Sequence, residues 1–227
     1  MISRSVRPLA RSCTGVVLAG GASERFDGRA KGLLEVGGVR IIDRVLVALR
    51  GATERQIVVT KRGAPRIEYE LDVPVQADLR PERGSLIGLH TALSAAGGPV
   101  LVVAWDMPFV PRQLLIALRE LGERRGSAAV PEGAGGLEPL CAYYPYASLD
   151  VIERQLARGE LRLGALLDVL PARAILTRGD VARFGNPAFL FSNVNCPADL
   201  EAAERWLARA DQAGPMDSES SIEPAGT

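Results

Sequence analysis

Short apolar runs alternate along this chain with longer segments of helical periodicity. The most strongly apolar run is Pro99–Trp105 (PVLVVAW), and similar runs occupy residues 16–18 and 56–60. Between the last two runs, Val39–Arg50 places its aliphatic residues at helical spacing, and Gly51 is a suitable helix end. Because consecutive parallel strands need a crossover that is usually helical, this alternation predicts a mostly parallel sheet with helices on both faces.

The same patterns continue to the C-terminal region without an internal repeat. We expect further strands at residues 73–76, 127–130, 137–144, 174–177 and 189–192, and further helices at residues 86–96, 113–124, 148–158, 162–170 and 198–210. The glycine-rich segment 132–136 (EGAGG) predicts a mobile loop over the site. We therefore expect one domain at residues 14–210, between a frayed extension at 1–13 and a disordered acidic tail at 211–227.

The composition excludes several classes of protein. Lys plus Arg and Asp plus Glu each total 27, and this zero net charge argues against a nucleic-acid or membrane-surface binder. The three cysteines, Cys13, Cys141 and Cys196, form no C-x-x-C pair, which argues against a zinc site or a disulfide framework. No segment has about 20 consecutive apolar residues, as a membrane span requires. We expect a cytoplasmic protein that is a monomer or a weak homo-oligomer.

The loop after the first apolar run has the features of a phosphate site. Residues 16–18 (VVL) lead into Ala19-Gly20-Gly21, and a polar loop then carries Arg25 and Lys31. Glycines without a Cβ can adopt positive φ and present backbone N–H groups to a phosphate. Arg and Lys supply the positive charge. An ordinary strand-to-helix connection with a solvated basic loop is the alternative.

The spacing of this loop differs from the two common phosphate-binding motifs. No Gly-Lys-Ser/Thr follows the glycines, and no third glycine opens a helix. The spacing instead resembles the signature of nucleotidyltransferases with a Rossmann-like sheet. LAGG joined to KGLL is most similar to the molybdenum cofactor guanylyltransferases, the MobA family. The resemblance covers most of residues 14–208 through four more segments: Asp78 with GSLIGLHTAL, VVAWDMPFVP, LEPLCAYYP and FSNVNCPADL.

This resemblance implies a fold, a reaction and a set of residues. The implied fold is a three-layer Rossmann-like nucleotidyltransferase fold, and the implied reaction transfers GMP from GTP to the phosphate of molybdopterin with Mg²⁺. Molybdoenzyme maturation proteins are further implied partners. The implied catalytic residues are Arg25, Lys31 and Asp106, with Asp106 as metal ligand. Nucleotide binding is implied for Leu18, Ala19, Gly20, Gly21, Lys31, Thr60, Asp78, Gly84 and Asp106, and acceptor binding for Glu138, Asn193 and Asn195.

Asp106 directly follows the most apolar strand. Ligands of open parallel sheets bind beyond the carboxyl ends of the strands, so Asp106 and the Gly20-Gly21 loop are expected to face one another. A carboxylate opposite a triphosphate is the usual protein ligand of Mg²⁺. The alternative is a cap for the helix near Pro111. Trp105 replaces the small residue usual beside this aspartate, either as packing or as a stacking face.

Two further positions depart from the family pattern. Ser85 replaces proline in the segment Gly84–Gly88, where serine is a competent N-cap. The family tends to have an asparagine close to Thr60 that helps to hold the base, and its absence weakens the prediction of guanine. Asp78 either contacts the nucleotide or closes a turn.

Asn193 and Asn195 alternate along a stretch that is expected to be extended, so both amides can point to one face. A turn before the helix at Pro197 is the alternative role.

Two other functions stay open for the whole chain. One is transfer with other substrates, as in a cofactor cytidylyltransferase or a sugar-phosphate enzyme. The other is a non-catalytic nucleotide-binding protein.

Overall fold

The computed structural model describes residues 12–20, 31–63 and 71–213, with side chains described up to residue 209. Our predictions for Gly21 and Arg25 lie outside these residues. So do those for most of the N-terminal extension and for residues 214–227 of the acidic tail.

A mixed, mostly parallel sheet forms the centre of the molecule. Its strand order is β10-β7-β9-β6-β1-β4-β5, and β9 alone is antiparallel to both of its neighbours. Two short hairpin strands, β2 and β3, pair separately, and β8 pairs with the end of β7. The strands are β1 (Thr14–Ala19), β2 (Glu35–Val36), β3 (Val39–Arg40), β4 (Arg55–Thr60), β5 (Val75–Ala77), β6 (Val100–Ala104), β7 (Ala128–Gly133), β8 (Gly136–Leu137), β9 (Cys141–Tyr144) and β10 (Arg173–Leu176).

Helices cover both faces of this sheet. They are α1 (Ile41–Arg50), α2 (Ser85–Ala96), α3 (Arg112–Arg125), α4 (Ser148–Ala157), α5 (Leu163–Val169), α6 (Arg178–Val181), α7 (Pro187–Leu190) and α8 (Pro197–Ala213). Residues from α1 and α3 contribute to the apolar core on one face, and residues from α2, α4 and α5 to the core on the other. The three-layer α/β fold predicted from the sequence is therefore confirmed.

The central strands β1 and β6 are buried on both faces because residues 16–19 of β1 and all residues of β6 are apolar. In β1, Val16 and Leu18 face the core that includes α2, while Val17 and Ala19 face the core that includes α1. This alternation follows from the two-residue period of a strand. Strands of this kind are typical of parallel sheets, where neither face meets water.

The chain reverses its direction across the sheet at β1. After β1 it adds β4 and β5 on one side, and it then returns to place β6 on the other side. Such a reversal point, between β1 and β6, is where ligands bind in open α/β sheets. The carboxyl ends of β1 and β6 lie side by side at this point, with Leu18 opposite Ala104.

Three local predictions were wrong. Residues 189–192 are not a strand: Asn186 caps the short helix α7, its Oδ1 accepting from the backbone N–H of Ala188 at 3.0 Å, and Pro187 occupies the first turn. The Asn-Pro start signal overrides the aromatic pattern that follows it. The segment 132–136 is not a loop over the site, because it forms the hairpin of β7 and β8. Residues 39–40 form β3 rather than the start of α1, because Gly37 and Gly38 both adopt positive φ and close a hairpin.

Helix α8 continues to Ala213, beyond the predicted end at residue 210. None of the helices within the described ranges is long and apolar enough to cross a membrane.

The packing of α3 on β9 generates a stability prediction. A Cβ at Gly122 would lie 2.1 Å from Cδ1 of Tyr143, whose side chain is buried. Since the buried ring has no free space to move into, we expect Gly122→Ala to lower the free energy of unfolding by about 1–3 kcal/mol. Urea unfolding measures this change.

Gly164 in α5 is the matched control, because a Cβ there meets nothing within 4 Å. We expect Gly164→Ala to leave the free energy of unfolding unchanged or to raise it by less than about 1 kcal/mol. Equal effects of the two substitutions would contradict the packing argument.

Candidate nucleotide-binding site

A crevice of about 520 Å³ opens at the carboxyl ends of β1, β4 and β6. Eight residues that the sequence analysis selected line it: Leu18, Gly20, Lys31, Thr60, Asp78, Gly84, Asp106 and Asn195. They come from sequence positions that are far apart, and the parallel sheet brings them to one edge. Seven further lining residues were not selected: Val59, Lys61, Arg83, Ser85, Gly88, Ala104 and Leu140.

Three selected residues lie outside the crevice lining. Ala19 packs into the core on the face of α1. Glu138 is half-buried before β9, and burial raises the pKa of its carboxyl. Asn193 is exposed to solvent. The structure therefore brings Asn195, but not these three residues, to the crevice that holds Lys31 and Asp106.

Gly20 borders open space. A Cβ built there meets nothing within 4 Å, and the φ angle of Gly20 is not positive. The backbone conformation at residue 20 therefore does not require a glycine. The absent side chain instead leaves room for a ligand to approach the backbone after β1.

Lys31 is buried although it carries a charge. Only 7% of its surface is exposed, and its ammonium donates to Oδ1 of Asn195 at 2.9 Å. An ammonium is only a donor, so the contacting atom of Asn195 must be its carbonyl oxygen. The amide Nδ2 of Asn195 is then directed elsewhere, and its two donors are available to an anionic group.

Asp106 lies one residue beyond the last backbone bond between β1 and β6. The N–H of Trp105 donates to the carbonyl of Leu18 at 3.2 Å, and the carbonyl of Asp106 accepts from Val194 N–H at 2.9 Å. Burial raises the pKa of the Asp106 carboxyl, and the charge of Lys31 partly offsets this rise. Because Pro111 is the N-cap of α3, Asp106 does not cap that helix.

The Trp105 side chain is a packing element rather than a stacking face. It is 5% exposed and belongs to the core, and a Cβ at Gly32 would lie 2.6 Å from its Cε3. The indole therefore covers Gly32 and supports the single 3-10 turn Lys31–Leu33 that carries Lys31.

Asp78 is a buried carboxylate at the end of β5. It is 8% exposed, and its Oδ1 accepts from the hydroxyl of Thr91 at 3.4 Å, which is a long hydrogen bond. Burial raises the pKa of this carboxyl, an effect that the Thr91 hydroxyl and the Arg62 charge oppose. A buried carboxylate with a raised pKa in a cleft is typical of a functional site.

The amino end of α2 borders the same crevice through Gly84 and Ser85. The predicted helix start is present, but the N-cap is Gly84 with φ of 140°, and Ser85 is the first helical residue. Only glycine adopts this φ readily, so the cap lies one residue before the predicted position and the helix begins at Ser85. Its first N–H groups can bind an anion.

The residues present fit a magnesium ion that is bound mainly by substrate. No group of three or more His, Cys, Asp or Glu side chains within the described ranges could hold a metal alone. Asp106 is a half-buried carboxylate in the same crevice as the cationic Lys31, whose charge acts on it. Mg²⁺ is commonly held by one or two carboxylates together with substrate phosphates and waters, and Asp106 supplies such a ligand.

A crevice with these charges, at the reversal point of a Rossmann-like sheet, is suited to binding a nucleotide. Residues 15–179 match the family model described as the MobA-like NTP transferase domain. The chain therefore belongs to the MobA-like NTP transferase family, and the resemblance noted in the sequence is confirmed.

Individual relatives agree with this assignment. The molybdenum cofactor guanylyltransferase of Desulfosudis oleivorans is 33% identical over 84% of this chain and 94% of that protein. The probable molybdenum cofactor guanylyltransferase of Pelotomaculum thermopropionicum is 34% identical over 88% of this chain and 96% of its own length. Among solved structures, molybdopterin-guanine dinucleotide biosynthesis protein A from Archaeoglobus fulgidus superposes with a TM-score of 0.75. It is 29% identical, and the match covers 86% of this chain and 99% of that one.

The raised pKa of Asp78 yields a prediction about the unliganded protein. Its carboxyl ionises above the ordinary value of 3.8 in the folded state, so its charge costs stability at all pH values above that range and costs nothing below it. We expect unliganded Asp78→Asn to melt at a higher temperature than the wild type at pH 7. This advantage disappears as the pH falls toward the ordinary pKa.

Differential scanning calorimetry over this pH range measures the effect. Asp72→Asn is the matched control, because it makes the same chemical change at an exposed position. A lower melting temperature for Asp78→Asn than for Asp72→Asn at pH 7 would mean that Asp78 stabilises the fold.

Proposed function

We propose that this chain is a molybdenum cofactor guanylyltransferase, which transfers GMP from GTP to the phosphate of molybdopterin and releases pyrophosphate. The observation that carries the proposal is the crevice in which Lys31 and Asp106 meet at the reversal point of the sheet. The names of the relatives supply the nucleotide and the acceptor.

The reaction needs alignment more than it needs a base. An oxygen of the acceptor phosphate attacks the α-phosphorus of GTP, and the bond to the bridging oxygen of the β-phosphate breaks with its electron pair leaving on pyrophosphate. Because the attacking phosphate is already ionised at neutral pH, no side chain has to remove a proton. The protein therefore contributes by positioning the two substrates and by neutralising the negative charge of the phosphates.

Lys31 stabilises the charge that moves toward pyrophosphate. Its ammonium is nearly excluded from solvent, so its interaction with a phosphate is stronger than it is in water. The bond to Asn195 uses one of its three donors and holds the side chain in the crevice. Two donors are left for phosphate oxygens. Arg25, whose placement is not described, is proposed to act beside it.

Asp106 is proposed to hold Mg²⁺ against the triphosphate. When bound, the ion would supply positive charge that offsets negative charge in the transition state. The hydrogen bond from Val194 N–H to the backbone carbonyl of Asp106 constrains the main chain that carries this carboxylate, shortly after β6. Burial disfavours the ionised form of the Asp106 carboxyl in the unliganded protein, and a bound cation would favour that form.

The acceptor is proposed to bind on the Asn195 side of the crevice. The Nδ2 donors of Asn195 face away from Lys31 and suit a phosphate oxygen. Glu138 and Asn193 are proposed to contact more distant parts of the acceptor, since neither lines the crevice itself.

Pyrophosphate release tests the proposed reaction. Purified protein with Mg²⁺ is incubated with GTP, CTP, ATP or UTP, with and without molybdopterin. We expect release only with GTP and molybdopterin together, because guanine-specific groups stay unpaired with other bases.

Asp106→Asn is the catalytic control, and its turnover is expected to fall by several orders of magnitude. Faster release with CTP would make the chain a cytidylyltransferase, a result that the missing asparagine near Thr60 would explain.

Lys31→Ala is expected to lower kcat by about 10²-fold or more while changing the dissociation constant of GTP far less. The reason is that its charge acts most strongly when negative charge shifts to the leaving pyrophosphate. Asn195→Ala, which removes the hydrogen bond to Lys31, is expected to change kcat in the same direction and by less. Steady-state kinetics with varied GTP measure both. A raised KM with unchanged kcat in Lys31→Ala would assign uniform binding to Lys31 instead.

A further inference from the structure

Lysine is rare in this chain, and its placement is informative. Of 27 Lys and Arg residues, only Lys31 and Lys61 are lysines. Both of them line the crevice. The two side chains differ chemically, since Arg presents a rigid planar fork and Lys a compact ammonium on a flexible stem. All other Lys or Arg positions of this chain are arginine, so its only two lysines lie at the same crevice. The proposed reaction uses Lys31 and gives no role to Lys61.

Lys61 lies beside Asp78 at the end of the sheet. β4 and β5 pair in parallel with Thr60 opposite Ala77, and the N–H of Asp78 donates to the carbonyl of Thr60 at 2.7 Å. Lys61 and Asp78 are therefore the next pair of residues beyond the last one in register. Because neighbouring strands lie about 4.8 Å apart, side chains at these two ends can engage the same edge of one small ring.

Neither of these charges has an ionic partner in the described part of the chain. No salt bridge within 4.0 Å is formed there by Lys61 or by Asp78. The Thr91 hydroxyl gives Asp78 a long hydrogen bond, and Arg62 acts on it only through its electrostatic field. A buried carboxylate with one long hydrogen bond and no salt bridge is costly, so this arrangement favours a ligand that brings further hydrogen-bond donors to Asp78.

Guanine is the base whose polar edge matches this pair. Its O6 is an acceptor, and its N1 and N2 carry donors. Adenine and cytosine both have an amino donor and a ring acceptor at the corresponding positions. An ammonium beside O6 and a carboxylate beside N1–H and N2–H satisfy guanine, whereas with adenine the ammonium would face an amino group. A mismatch of this kind leaves buried groups unpaired and gives strong discrimination.

We propose that Lys61 selects guanine by donating to O6 while Asp78 accepts from N1–H and N2–H. The inference rests on the proposed guanylyl transfer. It assigns the recognition of the base to residues at the ends of β4 and β5, where the family's asparagine is missing near Thr60.

Nucleotide binding without acceptor tests this assignment. The probes are GTP and the triphosphate of 2,6-diaminopurine riboside, which has an amino group where guanine has O6. Isothermal titration calorimetry with Mg²⁺ gives both dissociation constants. We expect the wild type to prefer GTP by about 100-fold or more, because the probe lacks both the O6 acceptor opposite Lys61 and the N1 hydrogen opposite Asp78. We expect Lys61→Met to reduce this preference by about tenfold or more, chiefly through weaker GTP binding, while the Asp78 contact keeps the remainder.

Arg62→Met is the matched control, because it removes the same charge one residue further along the chain. Arg62 is the nearby cation that donates to the carbonyl of Leu79 and does not line the crevice. If Lys61 acts only through its charge, both variants weaken both nucleotides by similar factors. We expect Arg62→Met to leave the ratio of the two dissociation constants within about threefold of the wild type.

The outcomes separate this proposal from the proposed function. Equal weakening of both nucleotides by Lys61→Met would overturn the role of Lys61 while GTP specificity stands. A wild type that binds CTP or ATP as tightly as GTP would overturn guanylyl transfer itself. Lys61→Arg keeps donors at the same place and is expected to keep the preference for GTP within about threefold of the wild type. If Lys61→Met does not fold, a loss of preference in Lys61→Arg contradicts the proposal and its retention supports it.

Discussion

The backbone pairing at the carboxyl end of β1 is the interaction on which the site depends. β1 is parallel to β4 on one side and to β6 on the other, and one further bond joins Trp105 N–H to the carbonyl of Leu18. A second joins Asp78 N–H to the carbonyl of Thr60. These bonds place Asp106 and Asp78 on either side of Gly20 with little freedom. The apolar core on both faces of the sheet fixes the register, because a slip of one residue would turn every side chain of β1 to the other core.

The site itself works against the stability of the unliganded fold. Lys31 and Asp78 are buried and Asp106 is half-buried, and burial raises the pKa of both carboxyls. Groups of this kind are typical of catalytic clefts, where they are held ready for a charged ligand. The rigid sheet offsets this cost. In the proposed complex, polyphosphate, metal ion and base would each add a partner to those that the described residues provide.

The segment before α8 completes the crevice from a distant part of the chain. Val194 N–H binds the carbonyl of Asp106, and the side chain of Asn195 binds Lys31. The Asp199 carboxylate holds this segment by accepting from the N–H groups of Asn195 and Cys196 at 2.8 and 2.9 Å. The two charged residues proposed for catalysis are thus tied to the segment proposed for the acceptor. A shift of that segment would change the geometry of both.

The sequence by itself determined the α/β class, most of the elements and the charged residues of the loop, because two-residue and helical periodicities are local properties of the chain. It could not predict that Asn195 meets Lys31, that Asn193 faces solvent or that Lys61 stands beside Asp78. These relations join residues far apart in the chain, and they depend on strand order, register and helix packing. The hairpin at 132–136 and helix α7 were missed for a different reason, since glycine geometry and an Asn-Pro cap override hydrophobic pattern over a few residues. Local sequence patterns therefore identified most of the candidate residues. The strand order and register of the sheet determined which of these residues lie close together.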